Sequence, residues 1–267
     1  MKHVNFGITL TTAMALLVSM PVLLHPAPAS AQLSVHEASD KSDRQILIEL
    51  SQELDASRFR NVQVSVANGV VSLAGSVEIF ADKEAAAKKA LHAKKAIAIR
   101  DDIRVIGTKI SDEDLQAKLV KKLELDRVGY GTTTFNAISV GVQEGVVTLG
   151  GHAYSPTDKY SALSVASYLP GVQDVIDEIE VDPPSPMDDR IRLNVARLVY
   201  GYPALSKYAI DPARPIRISV QNGHVTLYGL VDSEADRNIA NIRANGVQGV
   251  FSVTNALQVE NAVSERN

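Results

Sequence analysis

The chain has 267 residues, a formal charge of −4, no cysteine, no tryptophan and 45% hydrophobic residues, enough to build more than one small core. The absence of cysteine excludes disulfides, thiol chemistry and a lipid-modified N-terminal cysteine. Mild acidity argues against general nucleic-acid binding, which needs clustered cations facing phosphate.

Met1 to Ala31 reads as a signal peptide. Lys2 gives a minimal positive start, Val4 to Leu24 is mostly apolar, and Ala29-Ser30-Ala31 is a small-x-small cleavage site. Pro21, Pro26 and Pro28 break the apolar run short of a comfortable membrane span. The expectation is an exported, periplasmic protein, cleaved after about Ala31, without a lipid anchor or a transmembrane span in the mature chain. Losing Lys2 takes the charge from −4 to −5. Gln32 to Lys41 has little pattern and is expected to be a loose lead-in.

One hairpin signature then occurs three times: Val64 to Leu73, Val140 to Leu149 and Ile218 to Leu227. Apolar and polar residues alternate around Asn68-Gly69, Glu144-Gly145 and Asn222-Gly223, as two half-buried strands around a turn with positive φ require. The turn glycines recur at spacings of 76 and 78 residues (69 to 145, 145 to 223). A second glycine follows each by six residues, at Gly75, Gly151 and Gly229. Twenty-six residues after each turn come Lys95, Gly171 and Gly249, opening apolar series that end at Val105, Val181 and Val259. Upstream, an acid precedes an apolar stripe at steps of four: Asp43 with Ile46, Leu50 and Leu54; Asp112 with Leu115, Leu119 and Leu123; Asp188 with Ile191, Val195 and Val199. That step puts the stripe on one helical face.

The unit is therefore helix, strand, turn, strand, helix, strand. The expected class is α+β: tandem small αββαβ domains, each a three-stranded mixed sheet with two helices on one face. Expected boundaries are 42–107, 108–182 and 187–261, with Pro183-Pro184-Ser185-Pro186 as an extended, semi-rigid spacer that lets the third domain move. The first two abut at Ile106-Gly107-Thr108, leaving little independent motion. Ser155 and Ser233 cap the second helix in two copies, each with an acid three residues on. Ile79 holds that place in the first copy, so its helix is expected to start nearer Asp82.

The segments Asn68 to Gly75 and Asn222 to Gly229, with Gly171-Val-Gln-Asp-Val and Gly249-Val-Phe-Ser-Val, resemble the BON domain, named for bacterial osmotically induced and nodulation proteins. The resemblance covers Ser42 to Glu260 in three copies and departs from the family at Lys95-Ala96, which stands in place of Gly-Val. It implies a non-catalytic protein that binds phospholipid surfaces and supports envelope integrity under osmotic or other stress. The alternative it leaves open is a periplasmic chaperone or protein-interaction scaffold whose partners are unfolded or envelope proteins.

Candidate contacts follow from what varies around the constant unit. Lys88, Lys89, Lys94 and Lys95 form a basic run suited to anionic headgroups, or else a solvated face balanced by Asp82 and Glu84. From opening acid to turn glycine is 26, 33 and 35 residues, and the longer loops carry Tyr130, Tyr200, Tyr202 and Tyr208. Such tyrosines serve an interface or cap the ends of small cores. The middle copy, with 6 Lys+Arg against 12 Asp+Glu, repels anionic lipid, so the first and third copies suit it better. His36, His92, His152 and His224 share no repeat position, and no nucleophile elbow or phosphate loop occurs. No metal, cofactor or catalytic residue is expected.

Overall fold

The computed structural model describes residues 29–127, 130–211 and 214–260; of the expected leader, Met1 to Ala31, all but its last three residues lie outside them. In the first unit, α1 (Ala29–Glu53), β1 (Val62–Ala67), β2 (Val70–Val77), α2 (Phe80–His92) and β3 (Ala98–Val105) follow in order. The second repeats this as α3 (Asp112–Leu125), β4 (Ala137–Gln143), β5 (Val146–Ala153), α4 (Pro156–Ser167) and β6 (Asp174–Val181). The third has α5 (Pro186–Tyr200), the one-turn α6 (Lys207–Ile210), β7 (Arg217–Gln221), β8 (His224–Tyr228), β9 (Leu230–Val231), α7 (Glu234–Asn245), β10 (Ser252–Asn255) and β11 (Gln258–Val259). The chain is thus α+β, with three tandem mixed sheets.

Each hairpin is antiparallel, and its second strand pairs in parallel with the strand after the second helix. The second strand is therefore central. The two turn residues adopt φ of +53 and +76, +52 and +76, and +51 and +80 in the three units, a twist that matches the strands. At Gly75 and Gly151 a Cβ would lie 2.0 and 2.1 Å from the carbonyl oxygens of Asn61 and Ala137, so only glycine lets the neighbouring strand approach. In the third unit the ladder splits at Gly229 into β8–β10 and β9–β11.

The helical stripes bury as their spacing demands. Ile46, Leu50, Leu115, Leu119, Val195 and Val199 are fully buried against the sheets. One apolar core runs through the first and second units, and a second fills the third and takes in Phe135 from the loop before β4.

Three expectations change. The backbone of Gln32 to Lys41 is helical within α1; no Gly or Pro there stops the helix that the buried stripe anchors downstream. In the first copy α2 starts at Phe80, before Asp82, because the Ile79 carbonyl takes the Asp82 amide (3.1 Å) and Phe80 is buried. The second half of the Pro-rich spacer is a helix start: Ser185 caps α5 and Pro186 is its first residue. At the boundary between the second and third units, Arg192 of α5, 1% exposed, donates to Asp182 at 2.9 Å, to Asp189 at 2.7 Å and to the Val220 carbonyl at 2.6 Å. Ser219, Gln221 and His152 close around the same buried Asp182. Arg217 adds bonds to the Thr133 and Asn136 carbonyls at 3.0 and 2.9 Å.

Candidate contact sites

The opening acid of each copy has a target that spacing alone does not show. Asp43 accepts the Asn68 and Gly69 amides at 2.7 and 2.8 Å. Asp112 accepts those of Glu144 and Gly145 at 2.7 and 2.9 Å. Asp188 accepts those of Asn222 and Gly223 at 3.0 and 2.8 Å. A carboxylate thus bridges the first helix to the hairpin turn in every unit, using two charge-assisted bonds.

A second acid, at the start of the second helix, holds the loop of variable length. Asp82 pairs with Arg58 at 3.5 Å. Asp158 accepts from Arg127 (3.1 Å), Thr132 (2.8 Å), Asn136 (3.2 Å) and the Ser155 hydroxyl. Asp236 accepts from Tyr208 (2.8 Å) and pairs with Lys207 (2.9 Å). Burial opposes the charge of Asp158 and Asp236, but these hydrogen bonds and cations outweigh it and hold both carboxyls below their ordinary range. Lys207 is raised by its bonds to Asp232 and then Asp236.

This arrangement decides where the tyrosines sit. Tyr208 is buried, donating to Asp236 and accepting the Asp232 amide. Tyr200 donates to the Ile216 carbonyl at 2.6 Å, and burial, only partly offset by its hydrogen bonds and Arg217, pushes its hydroxyl up to about 12. Tyr202 is half-buried with the Arg243 guanidinium 5.6 Å from its ring. Tyr130 is 70% exposed, with Arg127 stacked at 4.2 Å.

The basic run lies at the end of α2 and in the turn after it. Lys88 and Lys94 are exposed, Lys89 pairs with Glu53 at 3.3 Å, and Lys95 donates to Gln45 at 2.6 Å. Lys95 adopts φ +72 where Gly171 and Gly249 have φ +101 and +95, so the turn survives the loss of glycine. Of the two acids expected to balance this run, Asp82 is buried and occupied by Arg58, leaving Glu84. Two apolar side chains that the sequence reading passed over stand among the lysines: Leu91, 64% exposed, and Ile97, 80% exposed. Ile97 is held over the turn by its amide, which donates to the Gly69 carbonyl at 2.8 Å. Phe251 holds the equivalent place in the third unit, 78% exposed, and Gln173 in the second. Among the described residues no group of three or more His, Asp or Glu is placed to hold a metal ion. No described helix is long and apolar enough to cross a membrane.

A profile of the BON domain matches residues 42–107, 111–183 and 204–261. The chain belongs to the BON-domain family. It is 31% identical over 158 residues to the osmotically-inducible protein Y of Escherichia coli (strain K12), a match covering 58% of this chain and 76% of that one. Among solved structures it is similar to CdsD, a structural protein of the type III secretion system of Chlamydia trachomatis. That match has 16% identity, covers 83% of this chain and 97% of the other, and has a TM-score of 0.24. The C-terminal domain of CdsD matches at 14% identity, over 80% of this chain and 96% of that one, with a TM-score of 0.21. At these scores neither likeness bears on function.

Proposed function

We propose that this BON-domain protein is exported to the periplasm, binds phospholipid surfaces without catalysis, and supports the envelope under osmotic stress. The observation that carries the reading is the patch at the end of α2. The exposed Lys88, Lys94 and Lys95 lie within a few residues of the exposed Leu91 and Ile97, while Asp82 is buried and paired with Arg58. Exposed apolar side chains flanked by cations suit the boundary of an anionic bilayer. The relative's osmotic induction and family membership support the stress setting.

Each lysine near an anionic surface contributes about 1 kcal/mol. Changing Lys88, Lys94 and Lys95 together to Gln is therefore expected to weaken binding to phosphatidylglycerol vesicles on the order of a hundredfold. Co-sedimentation at low salt measures this. Equal pelleting by wild type and variant, or none by wild type, rejects the lipid reading. The alternative, a chaperone or scaffold for envelope proteins, is favoured by the outer edges of β3 and β6, which pair with no described strand. Suppression of client aggregation without vesicle binding would select it.

A further inference from the structure

A groove of about 340 Å³ opens where the second and third units meet, near the lower end of the size range of small-molecule sites. Val120, Leu123 and Glu124 of α3 line it, with Leu230 of β9 and Arg217 of β7. Arg217 spends one nitrogen, Nη1, on the Thr133 and Asn136 carbonyls. Among the described residues its Nε and Nη2 have no acceptor, and no carboxylate lies within 4.0 Å of the guanidinium. Burial lowers Arg217, only partly offset by Tyr200 and Glu124. The Glu124 carboxyl is pushed up by burial ahead of the opposing attraction of Arg217, and it too has no described cation within 4.0 Å. Arg214 at the same groove is satisfied by a two-pronged pair with Glu260 at 2.9 and 3.1 Å.

With Arg214 already paired, the groove holds one cation, Arg217, and one anion, Glu124, that attract each other without touching, beside apolar walls. A simple anion would satisfy Arg217 and be repelled by Glu124; a simple cation would do the reverse. A small polar solute would leave the apolar wall unused. We infer that the groove binds a zwitterionic amphiphile of the ethanolamine-phospholipid class, with phosphate on Arg217, ammonium on Glu124 and an aliphatic segment along Val120, Leu123 and Leu230. This deepens the phospholipid reading but uses residues remote in sequence from the lysine patch, so the two can fail separately.

The test is calorimetric titration of the full chain with monomeric lysophosphatidylethanolamine. Controls are lysophosphatidylglycerol of the same chain length, dodecyltrimethylammonium and free phosphoethanolamine, each lacking one element of the ligand. The zwitterionic lipid is expected to bind at least tenfold tighter than any control. Glu124 makes no described hydrogen bond, so Glu124→Gln should fold. It is expected to weaken the zwitterion about tenfold and to tighten the anionic lipid. Val120→Trp, from the exposed side of α3, is expected to block the groove and abolish binding. The Lys88, Lys94 and Lys95 variant should lose vesicle pelleting and keep this affinity. Equal affinity for the anionic and zwitterionic lipids, an unchanged order in Glu124→Gln, or no binding by any probe overturns the assignment.

Discussion

Replacing Asp188 with Ala removes both acceptors from the Asn222-Gly223 turn. Each lost bond is charge-assisted, at 3.0 and 2.8 Å, and such bonds contribute about 1.5–3 kcal/mol each. Asp188 is only 3% exposed, so water is poorly placed to replace it at Gly223. The carboxylate also sits in the first turn of α5, where negative charge favours the helix. The expected loss is about 3–5 kcal/mol in the third unit. Asp188→Asn keeps one acceptor but turns an N–H toward the other amide, and should lose about 2 kcal/mol. Asp43 and Asp112 clamp the more exposed Asn68 and Glu144 amides, so their alanine variants should lose less. Amide hydrogen exchange at Gly223 reads the local effect, since about 3 kcal/mol speeds exchange on the order of a hundredfold. Exchange less than about threefold faster, or Asp43→Ala costing more than Asp188→Ala in thermal unfolding, would refute the clamp argument.

Lys95→Gly relieves a left-handed side chain at φ +72 while losing an exposed bond to Gln45, and should raise stability by about 1 kcal/mol, read as a higher unfolding midpoint. Arg192→Ala leaves Asp182 a buried charge without its cation and should cost about 3–5 kcal/mol. Small-angle scattering should then show a larger radius of gyration as the third unit parts from the second. Asp158 and Asp236 have folded pKa values below their unfolded ones, so their contribution is complete above about pH 4 and is lost as pH falls through the folded values. Asp158→Asn with Asp236→Asn should reduce stability at neutral pH and flatten its acid limb in pH-dependent urea unfolding.

Much of the backbone was legible because it rests on local rules. Alternation around Asn68-Gly69 and its copies, stripes at steps of four, and capping serines at 155 and 233 each act over a few residues. The acids at 43, 112 and 188 were visible as markers, but their targets were not, since the acid-to-glycine separation varies from 26 to 33 to 35 residues. Arg192 falls on the apolar face of α5, three residues before Val195, but spacing does not show what could offset its charge there; the approach of Asp182 and the Val220 carbonyl makes its burial tolerable. Arg217 and Glu124 carry no signal at all, because they belong to different copies and meet only when the units pack. The prolines at 183–186 suggested a spacer, yet proline suits the first turn of a helix as well as an extended link.

The three loops show how one scaffold absorbs insertions without loosening. In each copy the acid at 82, 158 or 236 is fixed at the start of a helix, and the loop supplies a cation to it: Arg58, Arg127 or Lys207. Added residues are pinned at that acid, so the tyrosines of the third unit are drawn into its core instead of hanging free. Contacts with a partner then fall to surfaces already rigid in the free protein, which lose little conformational entropy on binding. The turn tips fit that description: Ile97 and Phe251 are the exposed ends of loops whose amides are bonded to the turn carbonyls beneath them. Only the first tip combines an apolar side chain with the lysine run at 88–95, so the same fold presents one cationic tip, one neutral tip at Gln173 and one aromatic tip.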